Sequence, residues 1–548
     1  MKLIEDVKTL GELIDRAAEN WPDNEAIIYG DLRISYGELK EKVDRLAVSL
    51  MNLGVKKDDK VAVLFTNLPQ WAYAEYAIDK IGGIVVPINT RYSVQELEYI
   101  LHHSDSSTLV MMDRYQTIDY MAMVKEICPE LRESEPVNLQ CEKLPFLKNI
   151  IVFGNRRYQG TFNFDELFPE YGERDREKLL KVQSEVMPDD VAHLPYTSGT
   201  TGKPKGAMTT HQQYIRFNLG FIRGIGGFTN KDRLLVAPPF SHNFGNSQGI
   251  LTPAFCGASS IIIEAFDARK CLELIEKERC TFFAGSPTMY IKMLKDQNFS
   301  KYDLSSLRSG LIAAAPAPVA LIEEIQSKMG IKTLVNGFGM TENSVGTSMT
   351  RPGDPPEVLS KTVGRPLWPD YEVKVVDIKT GEDLPPGREG ELCTRGPLIM
   401  KGYYKMPEET ATLIDQDGWF HTGDMAIIDE ADYLSITGRL KDVFMPGGLN
   451  VSPEEVENVL YTHPKIKQVT VLGVPDEVMG EVGAAFVEPK KGEAVKEQEI
   501  IDFCKPRLAN FKIPRYVILT NDFPMTTSGK VQRFILRERA IEELGLSK

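Results

Sequence analysis

A segment rich in glycine, hydroxyl and lysine residues is the strongest chemical signal in the sequence. It follows the apolar run Val191–Tyr196 and reads Thr197-Ser198-Gly199-Thr200-Thr201-Gly202-Lys203-Pro204-Lys205-Gly206. Unhindered N–H groups, short hydroxyl donors and lysine cations suit the binding of phosphate groups. It is not a Walker A loop, because only two residues separate the first glycine from the Gly-Lys pair. The alternative is a mobile surface loop of linker composition.

Four later segments could complete a nucleotide site. They are Asn336–Glu342, Trp419–Asp424, Gly438–Asp442 followed by Gly447–Asn450, and Pro524–Arg533. An aromatic residue between glycines can stack on a base, and a glutamate beside phosphates can hold Mg²⁺. An aspartate after a Thr-Gly turn suits a ribose diol. Taken singly, each has an ordinary alternative: a turn with a core phenylalanine, an Asx turn, a linker, and a solvated lysine.

The five motifs, in this order, resemble those of the adenylate-forming (ANL) superfamily. That superfamily contains the acyl-CoA synthetases, the firefly luciferases and the adenylation domains of peptide synthetases. The resemblance covers nearly the whole chain. It implies an ATP-dependent acid–CoA ligase that uses ATP, Mg²⁺ and CoA. Such an enzyme joins a carboxylic acid to AMP with release of pyrophosphate, and then transfers the acyl group to CoA with release of AMP.

The resemblance also implies which residues bind the nucleotide and the metal. Lys530 is the catalytic lysine of adenylation, Glu342 and Thr341 are catalytic, and Glu342 and Thr201 are the metal ligands. The implied ATP- and AMP-binding residues form three groups. Those at the phosphates are Thr197, Ser198, Gly199, Thr200, Thr201, Gly202 and Lys205, and those at the adenine are Ala314, Ala315, Pro316, Gly337, Phe338, Gly339 and Met340. The third group is Asp424, Ile436 and Arg439, of which Asp424 and Arg439 hold the ribose. Phe338 departs from the tyrosine of most members, and Met525 from a common basic residue.

The acyl and CoA sites rest on fewer residues. The resemblance places His242, Asn243, Phe244, Ala313 and Val345 at the acyl pocket and Gly447, Gly448 and Leu449 at CoA. A hydrogen-bonded core histidine is the alternative for His242. No cationic residue is aimed into the pocket segments, which disfavours dicarboxylates and amino acids. The expected substrate is a medium-chain, alicyclic or aromatic monocarboxylic acid.

Three other activities share parts of this pattern. An adenylation enzyme that loads a carrier protein would transfer the acyl group to a phosphopantetheinyl thiol, but we expect no carrier domain after Lys530. A luciferase-like oxygenase would share only the first half-reaction. A ligand sensor without catalysis would not need Lys530, Glu342 and Asp424 together.

Alternating helix and strand signals surround these motifs. Strand signals at Val61–Phe65, Ile84–Ile88 and Thr108–Met112 alternate with helices that begin at two capping boxes, Ser35 with Glu38 and Ser93 with Glu96. Strand–helix–strand repetition with short connections predicts α/β architecture, with parallel sheets covered by helices.

The sequence changes its pattern twice near the C-terminal end. Short strands and Gly/Pro turns after Pro352 predict a small β-rich subdomain. We therefore expect a large N-terminal region over residues 1–440 and a small, mobile α+β domain over 441–548. The resemblance places the hinge at 439–442, with Lys441 as its pivot. The first helix of the small domain is predicted to begin with a capping box, Ser452 as N-cap and Glu455 at N3.

Composition limits the classes of partner. The 548 residues carry a formal net charge of −14, which argues against a nucleic-acid binder. The seven cysteines show no paired spacing, and neither a signal peptide nor an apolar run long enough to span a membrane is seen. We expect a cytoplasmic monomer or homodimer with no membrane span, whose partners are a small carboxylic acid, ATP and CoA.

Overall fold

The computed structural model describes residues 2–197, 204–446, 451–525 and 531–546. The chain divides into two compact units, one formed by residues 1–372 and 394–420 and the other by 373–393 and 421–548. The predicted boundary at 439–442 falls inside the second unit and stays a prediction. Nine predicted site residues lie outside the described residues: Ser198, Gly199, Thr200, Thr201, Gly202, Gly447, Gly448, Leu449 and Lys530.

The first unit contains a large sheet whose central strands run parallel. Within the described residues it has nine strands, in the spatial order Leu32–Ser35, Glu25–Tyr29, Ser259–Ile262, Arg233–Val236, Phe282–Gly285, Ser309–Ala313, Thr333–Phe338, Ser348–Met349 and Arg365–Pro366. Pairing is parallel from the second strand to the seventh and antiparallel at both ends. In such a sheet the loops that follow the parallel strands meet at one edge, where ligands bind.

A second sheet of the first unit is built on the same plan. Its strands, in spatial order across the described part of the chain, are Thr209–Thr210, Val191–His193, Ile84–Pro87, Lys60–Leu64, Ser106–Met112, Asn149–Phe153 and Phe162–Asn163. All neighbours pair in parallel except the first two strands. Two short hairpins are also described in this unit, Arg114–Tyr115 with Ile118–Asp119 and Tyr196–Thr197 with Lys205–Gly206.

Helices cover these sheets and begin where the local signals predict. The capping boxes at Ser35 and Ser93 are both confirmed, and Gly54, with φ of +85°, ends its helix. The α-helices are Leu10–Asn20, Tyr36–Asn52, Pro69–Lys80, Val94–His103, Tyr120–Ile127, Glu173–Ser184, His211–Gly224, Asn243–Asn246, Thr252–Cys256, Ala268–Lys277, Pro287–Leu294, Val319–Lys328, Pro356–Lys361 and Pro407–Ala411, with a π-helical turn at Ser247–Leu251 and 3₁₀ turns at Pro129–Arg132, Pro136–Asn138, Phe164–Glu166, Phe299–Lys301 and Thr341–Asn343.

Apolar side chains fill the layers between strands and helices. Leu235, Phe283 and Ile312 lie on neighbouring parallel strands and are fully buried. They share one core cluster with Leu272 and Ile322 from the covering helices. Because a parallel sheet is buried on both faces, its strands are continuous apolar runs. Each large aliphatic side chain buried here stabilises the fold by about 1.5–3 kcal/mol.

The second unit combines two smaller sheets with three helices among its described residues. A four-stranded sheet has the order Glu372–Val376, Glu389–Arg395, Phe420–Ile428 and Leu434–Arg439, and a three-stranded sheet has the order Ile466–Asp476, Gly480–Pro489 and Tyr516–Leu519. The helices are Pro453–Tyr461, Glu497–Cys504 and Arg533–Glu543, with 3₁₀ turns at Leu440–Asp442 and Asn510–Lys512. The predicted α/β fold with a small α+β C-terminal part is confirmed.

The predicted capping box at Ser452 is wrong. Ser452 is the N-cap residue, but its side chain accepts no hydrogen bond from the helix. Its hydroxyl instead donates to the carbonyl of Thr437, 2.5 Å away, and Glu455 pairs with Lys512 at 2.6 Å. Both side chains satisfy partners outside the helix, so the local pattern loses to tertiary contacts.

Two expectations from composition can be checked directly. The seven cysteines are all buried and form no disulfide with one another. In the described segments, no helix is both long and apolar enough to cross a membrane.

Candidate active site

A short hairpin holds the two ends of the hydroxyl-rich segment. Thr197 and Lys205 are directly paired across its antiparallel strands, and the Thr197 hydroxyl lies 3.5 Å from the carbonyl oxygen of Lys205. Residues 198–203 connect the two strands but lie outside the described residues. The pairing fixes where this connection begins and ends, at Thr197 and Lys205.

Glu342 lies in the same unit and is held by a tyrosine. Its side chain is buried, and Oε1 accepts a hydrogen bond from the Tyr403 hydroxyl at 2.7 Å. Its backbone carbonyl accepts from the N–H of Met400 at 2.8 Å. A hydrogen bond to a charged group is stronger than one between neutral groups. Tyr403 therefore fixes the orientation of the carboxylate and occupies only one of its two oxygens.

Tyr403 also joins Glu342 to the hairpin. The ammonium of Lys205 lies 5.3 Å from the centre of the Tyr403 ring, within the range of a cation–π interaction. The backbone next to Tyr403 pairs with the hairpin, since the N–H of Tyr404 donates to the Gly206 carbonyl at 2.8 Å. Burial, and then the adjacent Glu342 carboxylate, raise the pKa of Tyr403. The phenol thus stays protonated and donates near neutral pH.

The predicted adenine segments follow neighbouring parallel strands. Ala313 ends one strand and pairs with Gly337 on the next, so the residues after both strands lie at one edge of the large sheet. Ala314, Ala315 and Pro316 are exposed there, and Ala314 has φ of +73°. Positive φ is uncommon outside glycine and costs about 1–3 kcal/mol, which sets this loop apart from an ordinary connection.

A close approach of the backbone explains why position 339 is a glycine. A Cβ placed on Gly339 would lie 1.9 Å from the carbonyl oxygen of Val345. Val345 has φ of +97° and its neighbour Ser344 has φ of +53°. For a β-branched residue such a φ is an outlier, and backbone strain of this kind clusters at functional sites. Phe338 is half-buried beside this approach, and Met340 packs on an apolar cluster that includes Tyr403.

The predicted acyl residues are brought together only in part. His242 follows a strand of the large sheet, is exposed, and lies 3.4 Å from Asn89. Asn243 accepts a hydrogen bond from the Tyr214 hydroxyl at 2.8 Å. Phe244 is half-buried in the next turn. The predicted acyl residues His242, Asn243, Phe244, Ala313 and Val345 are called the acyl rim below. The exposure of His242 excludes the alternative of a core position.

The second unit carries the predicted ribose residues on adjacent strands. Asp424 and Arg439 are directly opposite in an antiparallel ladder, and Arg439 Nε lies 2.6 Å from Asp424 Oδ1. Asp424 is buried, and its backbone N–H donates to the Thr422 hydroxyl at 3.0 Å. Ile436 lies on the same strand as Arg439 and is half-buried. The ion pair fixes both side chains in one geometry.

The predicted hinge is a short 3₁₀ turn, Leu440–Asp442, directly after the strand that carries Arg439. Lys441 is exposed on it. Asp442 is tied to the C-terminal helix, since its Oδ2 lies 3.5 Å from Arg533 Nε. Arg533 also binds the buried Glu457 at 2.8 Å. The turn is therefore connected to the helices on its C-terminal side by charged side chains.

Sequence reasoning missed two tyrosines of the first unit. Tyr403 and Tyr214 contact predicted site residues through their hydroxyl groups. Neither stands in a polar or glycine-rich motif that would distinguish it from a core aromatic residue. The doublet at Tyr403 and Tyr404 after a glycine was the only local signal.

The chain belongs to the AMP-binding enzyme family, whose pattern matches residues 14–404, and the AMP-binding enzyme C-terminal domain matches residues 455–530. The predicted membership of the adenylate-forming superfamily is thereby confirmed. ATP or AMP is the nucleotide that this family binds.

Relatives and solved structures agree along the full length. YngI of Bacillus subtilis (strain 168), named as an acyl-CoA synthetase, is 40% identical, with 98% of both chains covered. The mitochondrial medium-chain acyl-CoA ligase ACSF2 of Danio rerio is 37% identical, covering 98% of this chain and 89% of its own length. The crystal structure of the anthranilate CoA ligase AuaEII with anthranoyl-AMP superimposes with a TM-score of 0.82 at 27% identity over 98% of both chains.

Proposed function

We propose that the protein is an AMP-forming acid–CoA ligase for a medium-chain monocarboxylic acid. The observation that carries the proposal is the linked group of Glu342, Tyr403 and Lys205 at the base of the hydroxyl-rich hairpin. It combines an anionic oxygen for a metal and a cation for phosphate, next to a segment whose sequence is rich in glycine and hydroxyl residues. Full-length similarity to proteins named as acyl-CoA synthetases and ligases supports the same conclusion.

The chemistry explains why these residue types are needed. A carboxylate cannot be attacked by a thiol directly, because an oxide ion would have to leave. One carboxylate oxygen therefore attacks the α-phosphorus of ATP, and the bond to pyrophosphate breaks. Negative charge grows on the phosphate oxygens in this step, so positioning and electrostatic stabilisation carry the catalysis. The CoA thiolate then attacks the acyl carbon, and AMP leaves with the electron pair.

Each group has a proposed place in that reaction. Glu342 would hold Mg²⁺, since Tyr403 orients its carboxylate and occupies only one of the two oxygens, and the bound ion would neutralise charge on the leaving pyrophosphate. Thr201, outside the described residues, is the proposed second ligand. Lys205 and the connection after Thr197 bind the phosphates. Lys530 supplies the cation at the α-phosphate, and the loss of one such charge typically costs on the order of 10²–10³ in rate.

The second unit would supply nucleotide contacts of its own. The fixed pair Asp424 and Arg439 presents a carboxylate oxygen and guanidinium donors, which suit the two ribose hydroxyls. The glycine-rich residues 447–449 are proposed to bind CoA, with the turn at Lys441 as the hinge between the two half-reactions.

The substrate class follows from the residues at the acyl rim. Apart from His242 the proposed lining is neutral: Asn243, Phe244, Ala313 and Val345. A second carboxylate or an ammonium group would find no fixed partner of opposite charge there. The name of the ACSF2 relative, a medium-chain acyl-CoA ligase, points to the same class of acid.

A panel of acids tests the proposal. The enzyme is incubated with ATP, Mg²⁺ and CoA and with hexanoate, octanoate, decanoate, cyclohexanecarboxylate, benzoate or malonate, and AMP and the thioester are measured together. We expect the highest kcat/KM with an unbranched medium-chain acid and none with malonate. Thioester formation with malonate but not with octanoate would contradict the substrate class while leaving the ligase chemistry intact.

A further inference from the structure

Three ionisable side chains meet in the core of the first unit, and the proposed reaction uses none of them. Glu75 and Asp79 lie one turn apart on the helix Pro69–Lys80, and His193 ends the strand Val191–His193. His193 Nε2 is 3.7 Å from Glu75 Oε1 and 3.7 Å from Asp79 Oδ1. The exposed fractions are 0% for both carboxylate residues and 1% for the histidine.

The atoms that face one another have no hydrogen-bond partner among the described residues. These are Glu75 Oε1, both carboxylate oxygens of Asp79, and His193 Nε2. The other oxygen of Glu75 is satisfied, since Oε2 accepts from Trp71 Nε1 at 2.7 Å and from Asn246 Nδ2 at 2.5 Å. Two fixed donors therefore orient Glu75 so that its unpartnered oxygen faces the imidazole.

Burying two carboxylates without hydrogen-bond partners costs free energy unless another group balances their charge. A buried carboxylate without a partner costs several kcal/mol, and buried polar atoms in folded proteins are almost always bonded. Two like charges at helix positions i and i+4 also repel each other. With both carboxylates ionised and the imidazole neutral, this cluster carries a charge of −2. The geometry calls for a cation at its centre.

We propose that Glu75, Asp79 and His193 bind one divalent transition-metal ion, with Zn²⁺ the best match. Imidazole nitrogen and carboxylate oxygen are both zinc ligands, and two carboxylates neutralise the ion. Ligand atoms about 2.0–2.1 Å from a tetrahedral Zn²⁺ are about 3.3 Å apart. The observed separations of 3.7 Å are close to that value, so small side-chain movements would complete the coordination, with a buried water as fourth ligand.

Protons shared among the three groups are the competing explanation. Burial raises the pKa of Glu75, to about 7, and also raises that of Asp79. A shared proton would draw the heavy atoms to about 2.7–3.2 Å, however, whereas both separations from His193 exceed that range. Protonation would also leave both oxygens of Asp79 without an acceptor or donor partner in the described core.

The position of the cluster indicates a structural role. It is fully buried, so no substrate could reach an ion there. It ties the helix Pro69–Lys80 to the strand at His193, three residues before the hairpin that begins at Tyr196. The ring of Tyr214, which donates to Asn243, lies 4.5 Å from the His193 ring. The ion would stabilise the helix and the strand next to the hairpin Tyr196–Gly206 and next to the acyl rim.

Metal analysis of the purified protein tests the proposal. The protein is dialysed without nucleotide or Mg²⁺, and its metal content is measured by mass spectrometry for the wild type and for Glu75→Gln and His193→Gln. Asp370→Asn, which alters an exposed ion pair with Arg216, is the matched control. We expect about one Zn²⁺ or similar ion per chain in the wild type and control, and a metal content at least about tenfold lower in both cluster variants.

Thermal unfolding provides a second measurement that does not depend on the variants folding. The wild type is unfolded after incubation with a strong chelator and again after addition of Zn²⁺ alone. A chelator-induced fall in Tm that Zn²⁺ reverses supports the site. Three results would overturn the proposal. The first is a wild type that holds no metal and whose Tm does not change with chelator, and the second is equal metal content in the wild type, Glu75→Gln and His193→Gln. The third is a stability that falls as pH rises through about 7 with or without chelator, which proton sharing predicts because the pKa of Glu75 is raised.

Discussion

Replacing Tyr403 by phenylalanine should weaken the use of Mg²⁺ without disturbing the fold of the site. The change removes only the hydroxyl that donates to Glu342 Oε1 at 2.7 Å. The ring remains, and with it the contact to Lys205 at 5.3 Å and the packing against Met400 and Phe420. The perturbation therefore isolates one hydrogen bond to one proposed metal ligand.

The expected magnitude follows from the burial of that bond. Glu342 is only 8% exposed, so water replaces the lost donor poorly. A hydrogen bond to a charged group is worth about 1.5–3 kcal/mol, which corresponds to a factor of about 10–150 at about 1.4 kcal/mol per tenfold change. Loss of an outer partner of a metal ligand typically costs about 10–100-fold in metal affinity or activity. Both estimates predict an increase of 10-fold or more in the Mg²⁺ concentration for half-maximal rate.

The assay is acid-dependent exchange between ATP and labelled pyrophosphate, measured against Mg²⁺ concentration without CoA. It reports adenylation alone. Tyr404→Phe is the matched control, because it removes the same hydroxyl one residue further along, where the partner is Asp105 at 2.9 Å. We expect the control to follow the wild type. An unchanged Mg²⁺ dependence in Tyr403→Phe would refute the assignment of Glu342 as a metal ligand held by Tyr403.

Three further results are expected. Gly339→Ala places a Cβ 1.9 Å from the carbonyl oxygen of Val345 and should lower the free energy of unfolding in urea by about 3 kcal/mol. In the control Gly337→Ala the nearest atom lies 3.5 Å from the new Cβ, so the free energy of unfolding should fall much less. Equal losses of stability in the two variants would contradict the close approach. Lys441→Pro should spare pyrophosphate exchange and slow thioester formation, and equal loss of both half-reactions would argue against a hinge there. Burial lowers the pKa of His211 to about 3, so the unfolded chain binds a proton at this residue before the folded chain does as pH falls. The free energy of unfolding should therefore decline below about pH 6.5, by up to about 1.4 kcal/mol per pH unit from this residue. Urea unfolding at a series of pH values should show a shallower decline for His211→Gln, and identical profiles for the two proteins would contradict the prediction.

Local signals in the sequence predicted the fold well where neighbouring residues decide the structure. The capping boxes at Ser35 and Ser93 formed because both partners lie within one turn. The box at Ser452 did not form, because the serine and Glu455 bind Thr437 and Lys512 instead. A pattern of four residues carries no information about competing partners 15 and 57 positions away.

The candidate site divides in the same way. Gly339, Asp424 and Arg439 belong to motifs that can be recognised along the chain. The link between Tyr403 and Glu342 joins residues 61 positions apart, and nothing in the sequence marks that pairing. The cluster around His193 is a further example, because its imidazole meets Glu75 only after two strands have been brought side by side in one sheet.

The most direct test of the central claim follows one oxygen atom through the reaction. Octanoate labelled with ¹⁸O in its carboxylate is incubated with the enzyme, ATP, Mg²⁺ and CoA, and the products are analysed by mass spectrometry. If the carboxylate attacks the α-phosphorus and CoA then releases AMP, one ¹⁸O per octanoyl-CoA appears in AMP and none in pyrophosphate. Label in inorganic phosphate together with ADP, or octanoyl-CoA formed with unlabelled AMP, would contradict the account.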